Sequence, residues 1–183
     1  MSRTIRWFVL VLLGCLARSA YAGSWSLGAH VSASVVRGDA NEGSTGIWGA
    51  PSNVLGYQPA LRVAWGDAVH KNDVLLDVGG LAIDQPGSNL SLAIATLGYQ
   101  HAFGTAHSFS PIVDAETGAV REDDAQVSWA PLFGLGAGVR HLIRDDHGAV
   151  RIEARWDLVE TDHTTGRPRL DSFGIRAGFD LWL

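Results

Sequence analysis

Long stretches of strict two-residue alternation constrain this chain more than any other feature. Residues 172–183, SFGIRAGFDLWL, put Phe173, Ile175, Ala177, Phe179, Leu181 and Leu183 in one phase and Gly174, Arg176, Gly178, Asp180 and Trp182 in the other. Residues 25–36 alternate likewise, with Trp25, Leu27, Ala29, Val31, Ala33 and Val35 against Ser26, Gly28, His30, Ser32 and Ser34. So do 57–66, 74–82, 127–142 and 149–159, while 89–102 is apolar in both phases at points and its facing stays open. Side chains of a strand point to opposite faces in turn, so alternation of this kind reads as strand and excludes an amphipathic helix. Seven strands are legible, and each spans roughly 10–13 residues, longer than the 5–6 common in globular proteins and close to the 9–11 a tilted membrane-spanning strand needs.

The polar phase mixes Gly, Ala and Ser with isolated Arg, Asp and Glu, and the only lysine of the chain, Lys71, falls in a turn. A soluble sandwich wets its outer face with Lys, Glu and Thr. Within lipid every backbone group must be paired internally, so a spanning sheet has to close on itself. The expected fold is therefore all-β: a closed antiparallel up-and-down transmembrane barrel of eight strands, apolar outside and polar inside. Arg62, Asp77, Arg140, Arg151, Glu153, Arg155, Asp157, Arg176 and Asp180 all fall in the polar phase and form the expected lumenal charge network. A barrel of about eight strands is filled by such side chains and holds no open channel. An even strand number needs an eighth strand, and 44–52 and 106–113 are equal candidates. Residues 37–56, 103–126 and 160–170 are the expected surface loops.

The start of the chain reads as a secretory signal over residues 1–22, followed by one barrel domain over 23–183. Arg3 and Arg6 precede the apolar run WFVLVLLGCL, and AYA at 20–22 supplies small residues for cleavage. Cys15, the one cysteine, lies inside this segment, where LLGC weakly resembles a lipidation box. No stretch after it has the 18 or more apolar residues of a membrane helix. The net charge of −5 argues against nucleic acid, which demands a basic footprint.

These features together resemble the small outer-membrane β-barrels of Gram-negative bacteria, the OmpA/OmpX-like eight-stranded group. The resemblance rests on the signal segment, the lack of cysteine after it, the alternating strands and the closing strand. It implies an outer-membrane location and contact with outer-membrane lipid and lipopolysaccharide. It also implies assembly as a monomer by the barrel-assembly machinery, which would read the apolar phase Phe173, Ile175, Ala177, Phe179, Leu181 and Leu183. The group usually ends in Phe, and this chain ends in Leu183. The expected role is structural or one of surface interaction. Two alternatives belong to other classes: a lipid A-modifying enzyme of the deacylase kind, and a soluble lipocalin-like binding barrel in the periplasm.

No enzymatic chemistry is expected. Deacylase barrels carry His-x-Ser-Asn on the strand before the last; the matching stretch, ARWDLVETDH, has Asp157 and Val159 near those places and His163 beyond the strand. No cofactor or metal is expected either, since the carboxylates of REDDAQ (121–126) and HTTGRPRLD (163–171) lack the spacing of a calcium loop. His30, His101 and His141 read as lumenal or interfacial polar residues. GLGAG (134–138) reads as space made inside the barrel, because a phosphate loop joins a strand to a helix.

Overall fold

A computed structural model describes residues 23–38, 43–45, 60–67, 70–85, 88–104, 109–123, 127–143, 147–161 and 169–183. Residues 1–22, expected to be a signal segment, with Cys15 among them, and His163 lie outside them. The described elements are β1 (Ser24–Gly38), β2 (Gly43–Thr45), β3 (Ala60–Gly66), β4 (Asn72–Gln85), β5 (Ser88–Ala102), β6 (Phe109–Asp123), β7 (Val127–Leu142), β8 (Gly148–Val159) and β9 (Leu170–Trp182). Each pairs antiparallel with its neighbour, and β1 also pairs with β9 from Ser26↔Trp182 to Gly38↔Leu170, which closes the sheet.

The closed sheet has eight staves. On the flank of β1 away from β9, Ser24–His30 pair with β3 and Val35–Arg37 pair with β2, so β2 and β3 occupy one stave between them. The eighth stave is β6. It overlaps the 106–113 candidate but runs 15 residues, to Asp123, so 103–126 is mostly strand and not a surface loop. Of the other candidate, 44–52, the described residues include only the end of β2, and 46–52 fall outside them.

Among the described residues the alternating phases read from sequence reappear as faces for most positions, although Val74 and Leu158 of the apolar phases are buried. Phe173, Ile175, Ala177, Phe179, Leu181 and Leu183 point outward, with Ile175 60% exposed, whereas Arg176 and Asp180 are buried. β5, whose facing was open, turns Thr96, Gly98 and Gln100 inward and Ala93, Ala95 and Leu97 outward. Outward aromatics gather toward both ends: Trp25 and Phe109 near the end holding Ser24 and Trp182, and Trp129 and Phe173 toward the other. Such paired belts suit the two bilayer–water interfaces, where an amphipathic ring is satisfied on both sides.

The lumen is layered. Toward the end away from Ser24 and Trp182, Val120, Ala130, Leu132, Val159 and Leu170 pack as a buried apolar plug, with Ile94 against it. The middle holds charge. The glycines of β7 make that possible: a Cβ on Gly136 would sit 2.1 Å from Asp114 Oδ2, and one on Gly134 would sit 2.2 Å from an Arg155 nitrogen. GLGAG is thus a recess for the carboxylates and guanidiniums of neighbouring strands. Gly136→Val is expected to displace the Asp114–Arg155 pair and cost about 1–3 kcal/mol, the range for overpacking. Ala137→Val, on the lipid face one residue away, should leave stability unchanged. Urea unfolding in detergent micelles, compared for the two variants, checks this.

Candidate functional site

The nine charged residues singled out in the sequence all line the lumen, and register explains how they meet. Arg62 of β3 stands opposite Asp77 of β4, and Glu153 of β8 opposite Arg176 of β9. Arg62 grips Asp77 with two bonds, Nε to Oδ1 at 2.7 Å and Nη2 to Oδ2 at 2.6 Å. Arg151 donates to Asp180 at 2.9 Å and to Glu153 at 2.8 Å. Arg155 donates to both oxygens of Asp157, at 2.7 and 2.9 Å. Arg140 stands opposite Arg151 in the β7–β8 register, but its side chain bonds away from these pairs, toward the end holding Ser24 and Trp182.

The hub of the network is a residue the sequence reading did not include, Glu116 of β6. Its carboxylate accepts from Arg62 at 3.1 Å, from two nitrogens of Arg155 at 2.9 Å each, from Arg176 at 2.7 Å and from Thr96 at 2.9 Å. Asp114, two residues before it on the same face, takes a further bond from Arg155 at 2.9 Å. A signal for both was present: Ser110, Ile112, Asp114 and Glu116 alternate with Phe109, Pro111, Val113 and Ala115. Pro111 and the clustered acids made the segment look like a loop. In the barrel Pro111 lies beyond the last β5–β6 partner pair, Ala102↔Ile112, where a missing N–H disturbs the ladder least.

A second polar cluster closes the end bearing Ser24 and Trp182. Ser24 Oγ lies 2.6 Å from His70 Nε2, and His70 Nδ1 lies 2.9 Å from Asp73 Oδ1. Arg140 donates to the backbone carbonyl of His70 and stands 3.6 Å from Asp73 Oδ2. Trp182 stacks on the His70 ring at 4.6 Å. None of Ser24, His70 and Asp73 was a candidate from sequence, because only the register of β1, β3 and β4 brings them together. The other histidines fall where their alternation put them. His30 is buried in the lumen beside Arg151, and His101 and His141 sit near the same end as half-buried rings against Phe103 and Phe109.

Room inside is small. A cavity of about 50 Å³ lies between the charged layer and the apolar plug, lined by Thr96, Glu116, Leu132, Arg155 and Arg176 among others. The larger concavity, about 560 Å³, is apolar and lies on the outward side among Ala29, Leu61, Val78, Ala177 and Phe179. A soluble binding barrel of the lipocalin kind would have these faces reversed, with Arg151, Glu153, Arg155 and Arg176 in water; all four are buried. Among the described residues no group of His, Cys, Asp and Glu has the arrangement of a metal site.

No protein-family model and no curated protein matches the chain. Solved structures do match. Neisserial surface protein A superposes with a TM-score of 0.64 over 87% of this chain and 98% of its own, at 13% identity. The outer membrane protein OprG of Pseudomonas aeruginosa gives 0.45 at 15% identity, over 88% of this chain and 96% of its own. The N-terminal β-barrel domain of OprF from the same organism gives 0.44 at 14%, over 87% and 99%. At such identities the likeness is one of fold, and the first superposition carries it. With its closed antiparallel register, its lipid-suited outer face and this likeness, the chain has the fold of the small eight-stranded outer-membrane β-barrels.

Proposed function

We propose that this protein is a monomeric outer-membrane barrel with a structural or surface-interaction role and a lumen that does not conduct. The observation that carries the reading is Glu116. One buried carboxylate joins Arg62, Arg155 and Arg176, from three different staves, across the middle of the lumen. Above this layer the apolar plug of Val120, Leu132 and Val159 offers nothing to a hydrated ion. Separating the layer means parting buried ion pairs, which is strongly unfavourable once one partner is left alone.

Orientation follows from the connections. Those at the end of Ser24 and Trp182 are short, residues 67–71, 103–108 and 143–147, whereas the other end has the longer connection 160–169 besides 39–42 and two tight turns. Outer-membrane barrels keep short turns in the periplasm and longer loops outside, so the termini of the barrel face the periplasm. The outward partners are then lipid along the staves and lipopolysaccharide around the far rim, and the barrel-assembly machinery would engage β9. A lipid A deacylase is disfavoured by the place where its motif would fall. There Asp157 is tied to Arg155, and no serine or histidine stands beside it on β8.

Planar-bilayer recording of the purified protein tests the closed lumen. The expected result is no steady open-channel conductance above the bare bilayer. A stable ohmic channel in every insertion would overturn the reading. Deletion of the coding sequence should raise sensitivity to detergents or alter surface adhesion, and a strain unchanged in both would remove the structural and surface roles.

A further inference from the structure

The cluster at the periplasmic rim has the arrangement of a nucleophilic serine site. We propose that Ser24, His70 and Asp73 form a hydrolytic triad for fatty-acyl carboxylic esters. This goes beyond the sealed-barrel reading and departs from the expectation of a chain without enzymatic chemistry. It concerns the rim and leaves the closed lumen as it stands.

Four observations carry the inference. The first is order and distance. Serine oxygen, imidazole Nε2, imidazole Nδ1 and carboxylate follow one another at 2.6 and 2.9 Å, so the carboxylate can hold the proton on Nδ1 and leave Nε2 free to take one from the serine. The second is that the arrangement is built. His70 sits in a left-handed backbone conformation, φ 48°, in which residues other than glycine are uncommon. Asp67 holds that turn by accepting from the backbone N–H groups of His70 and Lys71 and from the Asn72 side chain, at 2.7–2.8 Å. Trp182 covers one face of the ring. Gly66, the register partner of both Ser24 and Asp73, leaves room for the carboxylate, since a Cβ there would fall 1.7 Å from Asp73 Oδ1.

The third is a spare donor. The Arg140 guanidinium touches His70 and lies beside Asp73, yet its buried Nε has no hydrogen-bond partner among the described residues. A buried donor left open in the same cluster suits a developing oxyanion. The fourth is depth. His70 and Asp73 are buried while Ser24 is half-exposed, and the next residue, Trp25, turns outward to pair with the Trp65 ring at 6.4 Å. Tryptophans of this kind mark the bilayer–water interface. Ser24, in the inward phase with Ser26 and Gly28, stands at that level with its hydroxyl toward the mouth of the lumen, so an ester would enter by that mouth.

The reaction balances without a further reagent. His70 Nε2 takes the Ser24 hydroxyl proton as Oγ bonds to the acyl carbon. The carbon–oxygen bond to the alcohol breaks, and the leaving oxygen receives that proton. Water, deprotonated by the same nitrogen, then cleaves the acyl-serine to a fatty acid and free Ser24.

The test uses the folded full chain in detergent micelles and a long-chain alkyl fluorophosphonate bearing a fluorophore. Folded wild type should be labelled and heat-unfolded protein should not. Ser24→Ala should abolish labelling, and His70→Ala should slow it about 10²–10⁴-fold, the usual contribution of a general base. Unboiled gel mobility shows which variants are folded, and peptide mapping of labelled wild type locates the adduct without any variant. Phosphatidylethanolamine vesicles and p-nitrophenyl butyrate then separate the sources: release of fatty acid from the vesicles assigns membrane phospholipid, and turnover of the soluble ester alone assigns small esters. No labelling of the folded wild type, an adduct elsewhere than Ser24, or labelling without turnover of either ester overturns the proposal. The mobility of the unboiled protein is independent of these results, so failure here is distinguishable from failure of the barrel reading.

Discussion

Glu116→Ala should destabilise the folded barrel by about 3–5 kcal/mol, the cost of leaving buried charges without their partner. Three guanidiniums meet this one carboxylate, and Arg62 and Arg155 are themselves almost fully buried. Each retains another acid: Asp77 for Arg62, Asp114 and Asp157 for Arg155, and, more loosely, Asp77 at 3.5 Å and Glu153 at 3.7 Å for Arg176. The loss therefore falls short of three separate breakages. A second change, Arg155→Met, made on top of Glu116→Ala should recover part of the loss, because it removes a stranded cation. By contrast Asp123→Ala, which breaks a half-exposed pair with Arg121 at the end of β6, should change stability by less than about 1 kcal/mol. Equilibrium urea unfolding in micelles, followed by tryptophan fluorescence, gives all three. Equal effects at Glu116 and Asp123 would contradict the network.

Ile175→Arg should cost about 2–4 kcal/mol, the depth-dependent penalty for a cation on the lipid face. Ile175 lies in mid-β9, 60% exposed, between Ala33 of β1 and Ala154 of β8, so its side chain has only bilayer around it. Phe179→Asp is expected to cost less, since acids are better tolerated there and Phe179 lies nearer the periplasmic rim. Leu183→Asp, at the rim itself, should be close to neutral. The ranking Ile175 > Phe179 > Leu183 is the test, read as folded fraction after assembly into lipid vesicles. A flat ranking would mean that the outward phase of β9 does not meet lipid.

Much of the fold was legible because a barrel stave is a local object. Alternation along one strand decides which way each residue faces, and for Arg151, Glu153, Arg155 and Arg176 that sufficed to place them inside. The illegible parts depend on what lies across strands. β6 carries Ile112 and Val120 in its inward phase together with Asp114 and Glu116, so neither phase is uniformly apolar and the segment reads as loop. The stave shared by β2 and β3 was legible only through the alternation of 57–66, since Gly43–Thr45 is too short to show a pattern. The Ser24–His70–Asp73 cluster is the extreme case. Its serine and histidine are 46 residues apart, and no local pattern says that the β3–β4 turn folds back over the start of β1.

The central claim is that this polar-cored sheet closes within the outer membrane. Cell fractionation, followed by electrophoresis of boiled and unboiled samples in detergent, tests it most directly. The protein should sediment with outer membranes and change mobility on boiling, as a closed barrel resists detergent until heated. Recovery in the soluble periplasm, with one mobility before and after boiling, would contradict it.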